Sequence, residues 1–536
     1  MHPLNRVTTH ISGVPERGTN GQVRQLVIGR EVGKCFGIPD FKKCSFRPIF
    51  IAAHELMMTK KLLPLLLFFC GGFTPLFAQQ NILYQDIANA DWFSVAAGSY
   101  GRIGVSWTNG FSAIDGRRLN LNNMGSIGGR MEEQDYLEFG IAFKMRPEQP
   151  NPDSLQINVQ LRASVFSRNG SLFGNDNTGN ASGLTIALPE MYVEAKNVLT
   201  KDLNLWVGSR LYRGPDIYMA DYWVFNDHST QGFGAEYKGT RAMMGFVAST
   251  DTTATVPPFF YINIKSGTPS LEIRNRIIYV LEQDLRLGEG RLLSFLGEYH
   301  RLGDPSTSLA DTSNLVLSAP ADDGFVLGAR YQQDLNSFQP GSFHQLAIRH
   351  GRGIANGGDG GSSRTWETFG AVNRDNFRFD EAYSWHVVDH FVLNLSRTIT
   401  LNGYGIYNRS RGAAPTRGLE ATYFGREVFN FKQDLTLGFR MVNYLTDIFH
   451  WQTEVHYSQR QDGDQPWYRM GKISLIPTLA LRKQRSIWSR PHLRFIYSIG
   501  LYNDQARQDL YSPFLQLVGA RRVGHFFGVR AEWWTW

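Results

Sequence analysis

The feature that most constrains this chain is a period of two. In Leu155-Gln156-Ile157-Asn158-Val159-Gln160-Leu161-Arg162-Ala163-Ser164-Val165 every odd position is apolar and every even one polar. Phe449 to Tyr457 repeats the pattern, and Leu493, Phe495, Tyr497 and Ile499 alternate with His492, Arg494, Ile496 and Ser498. A strand sends successive side chains to opposite faces, so each run is a ribbon with one apolar and one polar face. Runs of about ten residues match a tilted strand that crosses a bilayer. A soluble β-sandwich alternates too, but two features separate the cases. The polar faces carry Arg, Glu, His and Gln along the whole length, and short turns alternate with long polar loops such as Gly351 to Arg364. That asymmetry belongs to outer-membrane barrels, and the aromatic run from Phe526 to Trp536 suits a closing strand at an interfacial girdle. The expected fold is all-β: one transmembrane antiparallel barrel over residues 79–536, without an internal linker.

Hydropathy agrees. The mean hydropathy of -0.28 is far from that of a helical membrane protein, which needs spans of about 18 or more apolar residues. The one apolar stretch, Leu62 to Phe73 after Lys60-Lys61, is short, broken by Pro64, and followed by Ala78. Residues 58–78 therefore read as a secretory signal peptide. Residues 1–57 show no amphipathic period and are expected to be an extension absent from the native protein, translation starting at Met57 or Met58. Residues 1–78 hold Cys35, Cys44 and Cys70, so no cysteine follows them. They also hold ten of the 55 Lys/Arg and four of the 48 Asp/Glu, leaving 45 basic against 44 acidic residues. A balance so near neutral gives no basis for a nucleic-acid partner and suits an uncharged ligand.

Three ordered segments carry a family resemblance: Tyr100-Gly101-Arg102-Ile103-Gly104-Val105-Ser106-Trp107, Leu205 to Tyr212 leading into Asp216 to Tyr222, and Ser486-Ile487-Trp488-Ser489-Arg490-Pro491. Val388-Asp389-His390 and Phe527 to Trp534 are weaker echoes. Over roughly Ser99 to Trp536 the chain resembles the maltoporins, sugar-specific porins of the Gram-negative outer membrane. The resemblance implies an 18-stranded barrel, a homotrimer embedded in outer-membrane lipid, an inward-folded constriction loop and no cofactor. It also implies an aromatic slide and a polar track that guide linear oligosaccharides. Sugar C–H faces stack on rings, while hydroxyls need donors and acceptors in place of water. Carried over by matched motif, the slide comprises Tyr100, Tyr136, Trp488 and Trp534, with Trp223 near the constriction. The track comprises Arg102, Arg130, Glu138, Asp216 and Asp221. Parity places the slide aromatics on the polar face, opposite Ile103, Leu137, Phe139, Leu493, Phe495 and Trp533. Pro189 and Gly214 stand where the family usually has charged track residues, the first-loop disulfide is absent, and Thr535 and Trp536 run past the family's aromatic end.

Other chemistries find little support. His386 and His390 share a strand face while Asp389 lies on the other, short of a metal-ligand set. The run Gly357 to Gly361 lacks the Lys-Ser/Thr of a phosphate loop and reads as an outside loop. No nucleophile, base and orienter group together, so an enzyme is not expected. The aromatic-rich stretch Leu211 to Gln231 would expose a large apolar patch as an outside loop, and is expected to fold into the lumen. A porin without sugar selectivity is the alternative function.

Overall fold

A closed barrel leaves no strand edge unpaired, which lets a sheet sit in hydrocarbon with every backbone group bonded. The computed structural model of the protein does this with eighteen antiparallel strands, each paired with its sequence neighbours. The first, Phe93–Trp107, closes on the last, Val523–Trp534, with Tyr100 opposite Trp534 and Trp107 opposite Phe527. A nineteenth strand, Gln85–Asn89, pairs with Ser94 to Ala97 and continues the line of the last strand along the first. The structure describes residues 84–90, 92–108, 118–147, 153–167, 184–225, 227–247, 260–263, 270–273, 276–303, 320–335, 337–357, 364–421 and 427–534. Residues 1–57 and 58–78, the expected extension and signal peptide, and most of the glycine run at 357–361 lie outside these residues.

The alternation read from the sequence is the alternation of the wall. On Gln156–Ser167 the apolar Ile157 and Leu161 face outward and Gln160, Arg162 and Ser164 are buried inside. The apolar face is the exposed one, inverse to a soluble sandwich, because its solvent is lipid. Tight turns join Tyr237 to Thr240, Arg286 to Arg291 and Tyr444 to Phe449 at one end. Long connections such as residues 354–382, 412–430 and 503–522 stand at the other, which is the outer end by the loop asymmetry of such barrels.

Two loops fold into the lumen. Third-loop residues Ile217, Met219, Tyr222, Val224 and Phe225 are buried in one apolar cluster with wall residues Val326, Ala347, Val388 and Ile406. The Arg349 Nη1 donates to the Phe225 carbonyl (2.7 Å), fixing the loop to the far wall. This is the inward fold expected for residues 211–231. The first loop does the same. Leu119, Leu121, Met124, Ile127 and Met131 join that cluster, and the Tyr502 hydroxyl donates to the Leu119 carbonyl (2.6 Å).

Candidate functional site

The two inward loops bring charged groups onto the first strand. Arg102, on Phe93–Trp107, reaches Glu133 of the first loop (3.0 Å) and lies 5.1 Å from the Tyr136 ring centre. Arg130 pairs with the same carboxylate (2.8 Å), donates to the Tyr100 hydroxyl (3.3 Å) and to the Tyr218 carbonyl (3.3 Å). Its guanidinium stands over the Tyr218 ring at 4.5 Å and lies 3.9 Å from Asp221. Burial opposes ionisation of Glu133, but Arg102, Arg130 and the Ser126 hydroxyl hold its carboxyl down to about 2. Asp216 has the opposite balance: burial and then Asp221 push its carboxyl up to about 6. A carboxylate so shifted is neutral over part of the mildly acidic range.

The aromatic rings form two groups. Tyr100, Tyr136 and Phe166 run along neighbouring strands with centroids 6.0 and 6.4 Å apart. Tyr218, from the third loop, meets Trp488 (6.4 Å) and Trp534 (6.0 Å) edge-on. The Arg490 guanidinium stands over Trp534 at 4.4 Å and Tyr218 at 4.9 Å. Four of the five expected aromatics thus gather around Tyr218 or Tyr100. Trp223 does not: it is buried in the short hairpin with Asp216, under Arg213 at 4.6 Å. Trp488 lies in the connection between Tyr468–Ala480 and His492–Tyr502, so strand parity does not place it. Its ring contact with Tyr218 ties it to the lumen.

The expected polar residues extend into a belt of alternating charge. Glu138 on the second strand meets Arg162 on the third (3.6 Å), which meets Glu190 on the fourth (2.8 Å). Arg210 follows, paired with Glu236 (3.1 Å) and Glu194 (3.7 Å), and then Arg241 with Asp284 (3.3 Å). At Pro189 the pairing with the third strand shifts register, a bulge that tolerates proline. Arg162 supplies cationic charge next to that position, and Arg213 reaches Asp227 (3.4 Å) beside Gly214. His386 and His390 point inward to Asn408 (2.5 Å) and Asn402 (3.1 Å). Asp389 faces outward to His344 (2.9 Å), as parity required.

Sequence reading missed Glu133, Tyr218, Glu532 and Arg490. Glu532 accepts from the Tyr100 hydroxyl (2.9 Å) and pairs with Arg490 (3.0 Å) and Arg494 (2.8 Å). Its signal was available, because Glu532 shares the parity of Trp534. Arg490 sits two residues after Trp488 in a matched segment. Glu133 lies on an irregular loop and gave none.

A wide antiparallel barrel with an outward apolar band, a polar interior and loops folded into the lumen is an outer-membrane porin, a channel rather than a closed container. The LamB porin family matches residues 95–534, and the chain belongs to that family. The chain is also similar to solved structures at low identity. OmpF of Salmonella typhi, in complex with daunomycin, is 10% identical with a TM-score of 0.37, covering 84% of this chain and 100% of that chain. OccAB2 of Acinetobacter baumannii is 10% identical with a TM-score of 0.39, covering 82% and 98%. In-vitro folded OmpT of Vibrio cholerae, in its trimer form, is 9% identical with a TM-score of 0.34, covering 83% and 100%.

Proposed function

We propose that this porin passes linear oligosaccharides, malto-oligosaccharides or related sugars, across the outer membrane of a Gram-negative cell as a homotrimer. The observation that carries the reading is the pairing of lumen aromatics with an ionic row: Tyr100 and Tyr136 beside Arg102, Arg130 and Glu138, then Tyr218, Trp488 and Trp534 beside Arg490. Rings offer faces to sugar C–H groups, and the arginines and carboxylates offer hydrogen bonds to hydroxyls along the same route. Many weak contacts in sequence allow passage without trapping. Asp216 and Asp221 flank the Tyr218 turn and complete the track at the constriction, with Trp223 behind it.

Planar-bilayer conductance of the refolded protein, titrated with linear glucose oligomers, tests this. The expected result is insertion in three-step units and current blocked by sugar in a saturable way. Trp488→Ala should weaken the block with little change in open conductance. Channels indifferent to every sugar would make this a porin for other solutes.

A further inference from the structure

We propose that the outward face of strands Phe343–Gly353, Tyr383–Asn394 and Ile399–Arg411 binds the phosphate groups of a phosphorylated glycolipid in the outer leaflet. Register builds the patch. Arg352 and Arg411 flank Tyr383, and one step nearer the membrane centre His350 and Arg409 flank Trp385. All six face outward, since Ser384, His386, Asn408 and Ser410 between them are buried inside. Trp385 is 44% exposed, and Arg352 and Arg409 are exposed as well. His350 packs its ring on Trp385 at 4.3 Å and meets Phe325 at 6.4 Å. From the loop above, Arg417 covers Phe431 at 3.8 Å, and Arg409 approaches the same ring at 5.5 Å.

The charges in this patch are largely uncompensated. Arg352 donates to the Asp380 carbonyl (3.4 Å) and Arg411 to the Pro415 carbonyl (2.9 Å), both neutral oxygens. Among the described residues neither they nor Arg409 forms an ion pair, while Arg417 reaches Asp464 at 3.5 Å. Asp323 and Glu381 lie at the margin, and Asp389, lower on the face, is taken up by His344.

Position selects the ligand. Gly353 and Arg411 lead into the long connections 354–382 and 412–430, so the patch lies at the outer rim. Tyr383 and Trp385 are girdle residues that mark the level of the headgroups. A charge on the lipid face costs about 2–4 kcal/mol at the midplane and about 0–1 near the interface, so arginines are tolerated at this height. Guanidinium forks in the headgroup layer match phosphate oxygens bidentately. Over the described outer halves of the eight strands from Phe93–Trp107 to Arg276–Arg286, no Lys or Arg faces outward; Arg301 and Arg469 do so on other strands, but singly, Arg301 opposite Asp323.

The test is native mass spectrometry of the detergent-solubilised protein titrated with bis-phosphorylated lipid A, its dephosphorylated form, and inorganic phosphate. The expected result is retention of the bis-phosphorylated form, weakened about tenfold in the variant Arg352→Gln/Arg409→Gln/Arg411→Gln. The single Arg409→Gln should lose part of that affinity, which keeps the test decisive if the triple variant does not fold. Unchanged single-channel conductance verifies folding. Equal retention by variant and parent, no preference for the phosphorylated form, or inorganic phosphate displacing lipid A at equal concentration would each overturn the proposal.

Discussion

Lys472→Met isolates what holds the first loop inside the barrel. Lys472 is fully buried on Tyr468–Ala480 and donates to both oxygens of Glu132 (2.9 and 2.8 Å), to Asn120 Oδ1 (2.7 Å) and to the Gly129 carbonyl (3.2 Å). Methionine keeps most of the side chain's bulk and removes the charge, leaving Glu132 buried without its cation. Breaking one side of a buried pair costs about 3–5 kcal/mol. Other anchors remain: the Gly128 amide donates to the Tyr404 hydroxyl (3.1 Å), and Arg460 donates to the Asn123 carbonyl (3.2 Å). The loss should therefore appear as local opening rather than unfolding. Hydrogen exchange in residues 126–133 should accelerate by about 10² to 10⁴, with noisier open-channel current. Burial raises the Glu132 carboxyl above its ordinary range and Lys472 draws it down. Without Lys472 the carboxyl titrates higher still, and its protonated form is neutral. A folded-state value above the unfolded one means stability is lost as pH rises, so the defect of the variant should shrink in acid. Glu132→Gln combined with Lys472→Met should recover much of the protection. Unchanged exchange in the single variant, or a double variant no better than it, would refute the reasoning.

The constriction carboxylates should separate by pH. Asp216 titrates at about 6, so Asp216→Asn should lower cation preference in reversal-potential measurements above that pH and change little well below it. Because that value exceeds the ordinary one for aspartate, its contribution to stability falls as pH rises through the window between them. Glu133, held at about 2 by Arg102 and Arg130, should behave differently: Glu133→Gln should shift selectivity toward anions at every working pH. Gly140→Ala would put a Cβ 2.1 Å from the Tyr84 hydroxyl. Overpacking of this kind costs about 1–3 kcal/mol, and limited proteolysis should show Gln85–Asn89 released from the first strand.

The wall was legible in the sequence because lipid imposes a strict period, as Gln156–Ser167 shows. The slide residues on strands, Tyr100 and Tyr136, were legible for the same reason. What alternation could not show was the interior away from the strands. Trp488 lies on a turn, Tyr218 and Glu133 on loops, and their meeting depends on chain closure between residues far apart in sequence. Trp223 carried the right residue type in a matched motif, yet the hairpin turns it against Arg213. The outer arginines were visible as residues, but only the register of three strands sets them side by side.

The same packing decides where solutes pass. The first and third loops share one apolar cluster with the wall, from Tyr192, Trp206 and Met243 round to Phe526, and in its far sector Arg440, Glu454 and Lys472 have side chains 2, 0 and 0% exposed. Across the lumen the charged belt is wetted only in part: Glu236 is 23% exposed, Arg241 21% and Arg210 14%, while Glu138, Arg162 and Glu190 are buried. Fully buried charges such as Lys472 and Glu132 hold the loops, and the partly exposed ones, Arg102, Arg210, Glu236 and Arg241, are open to the aqueous pore. Cysteine accessibility can separate the two, because cysteines occur only at 35, 44 and 70, within the expected extension and signal peptide. Glu236→Cys should react with a charged methanethiosulfonate from the aqueous pore and change its conductance. Thr436→Cys, on a fully buried inward position, should be protected by the docked loops until Lys472→Met loosens them. Equal reactivity at both sites in the parent background would mean that the loops leave a wider lumen than this packing allows.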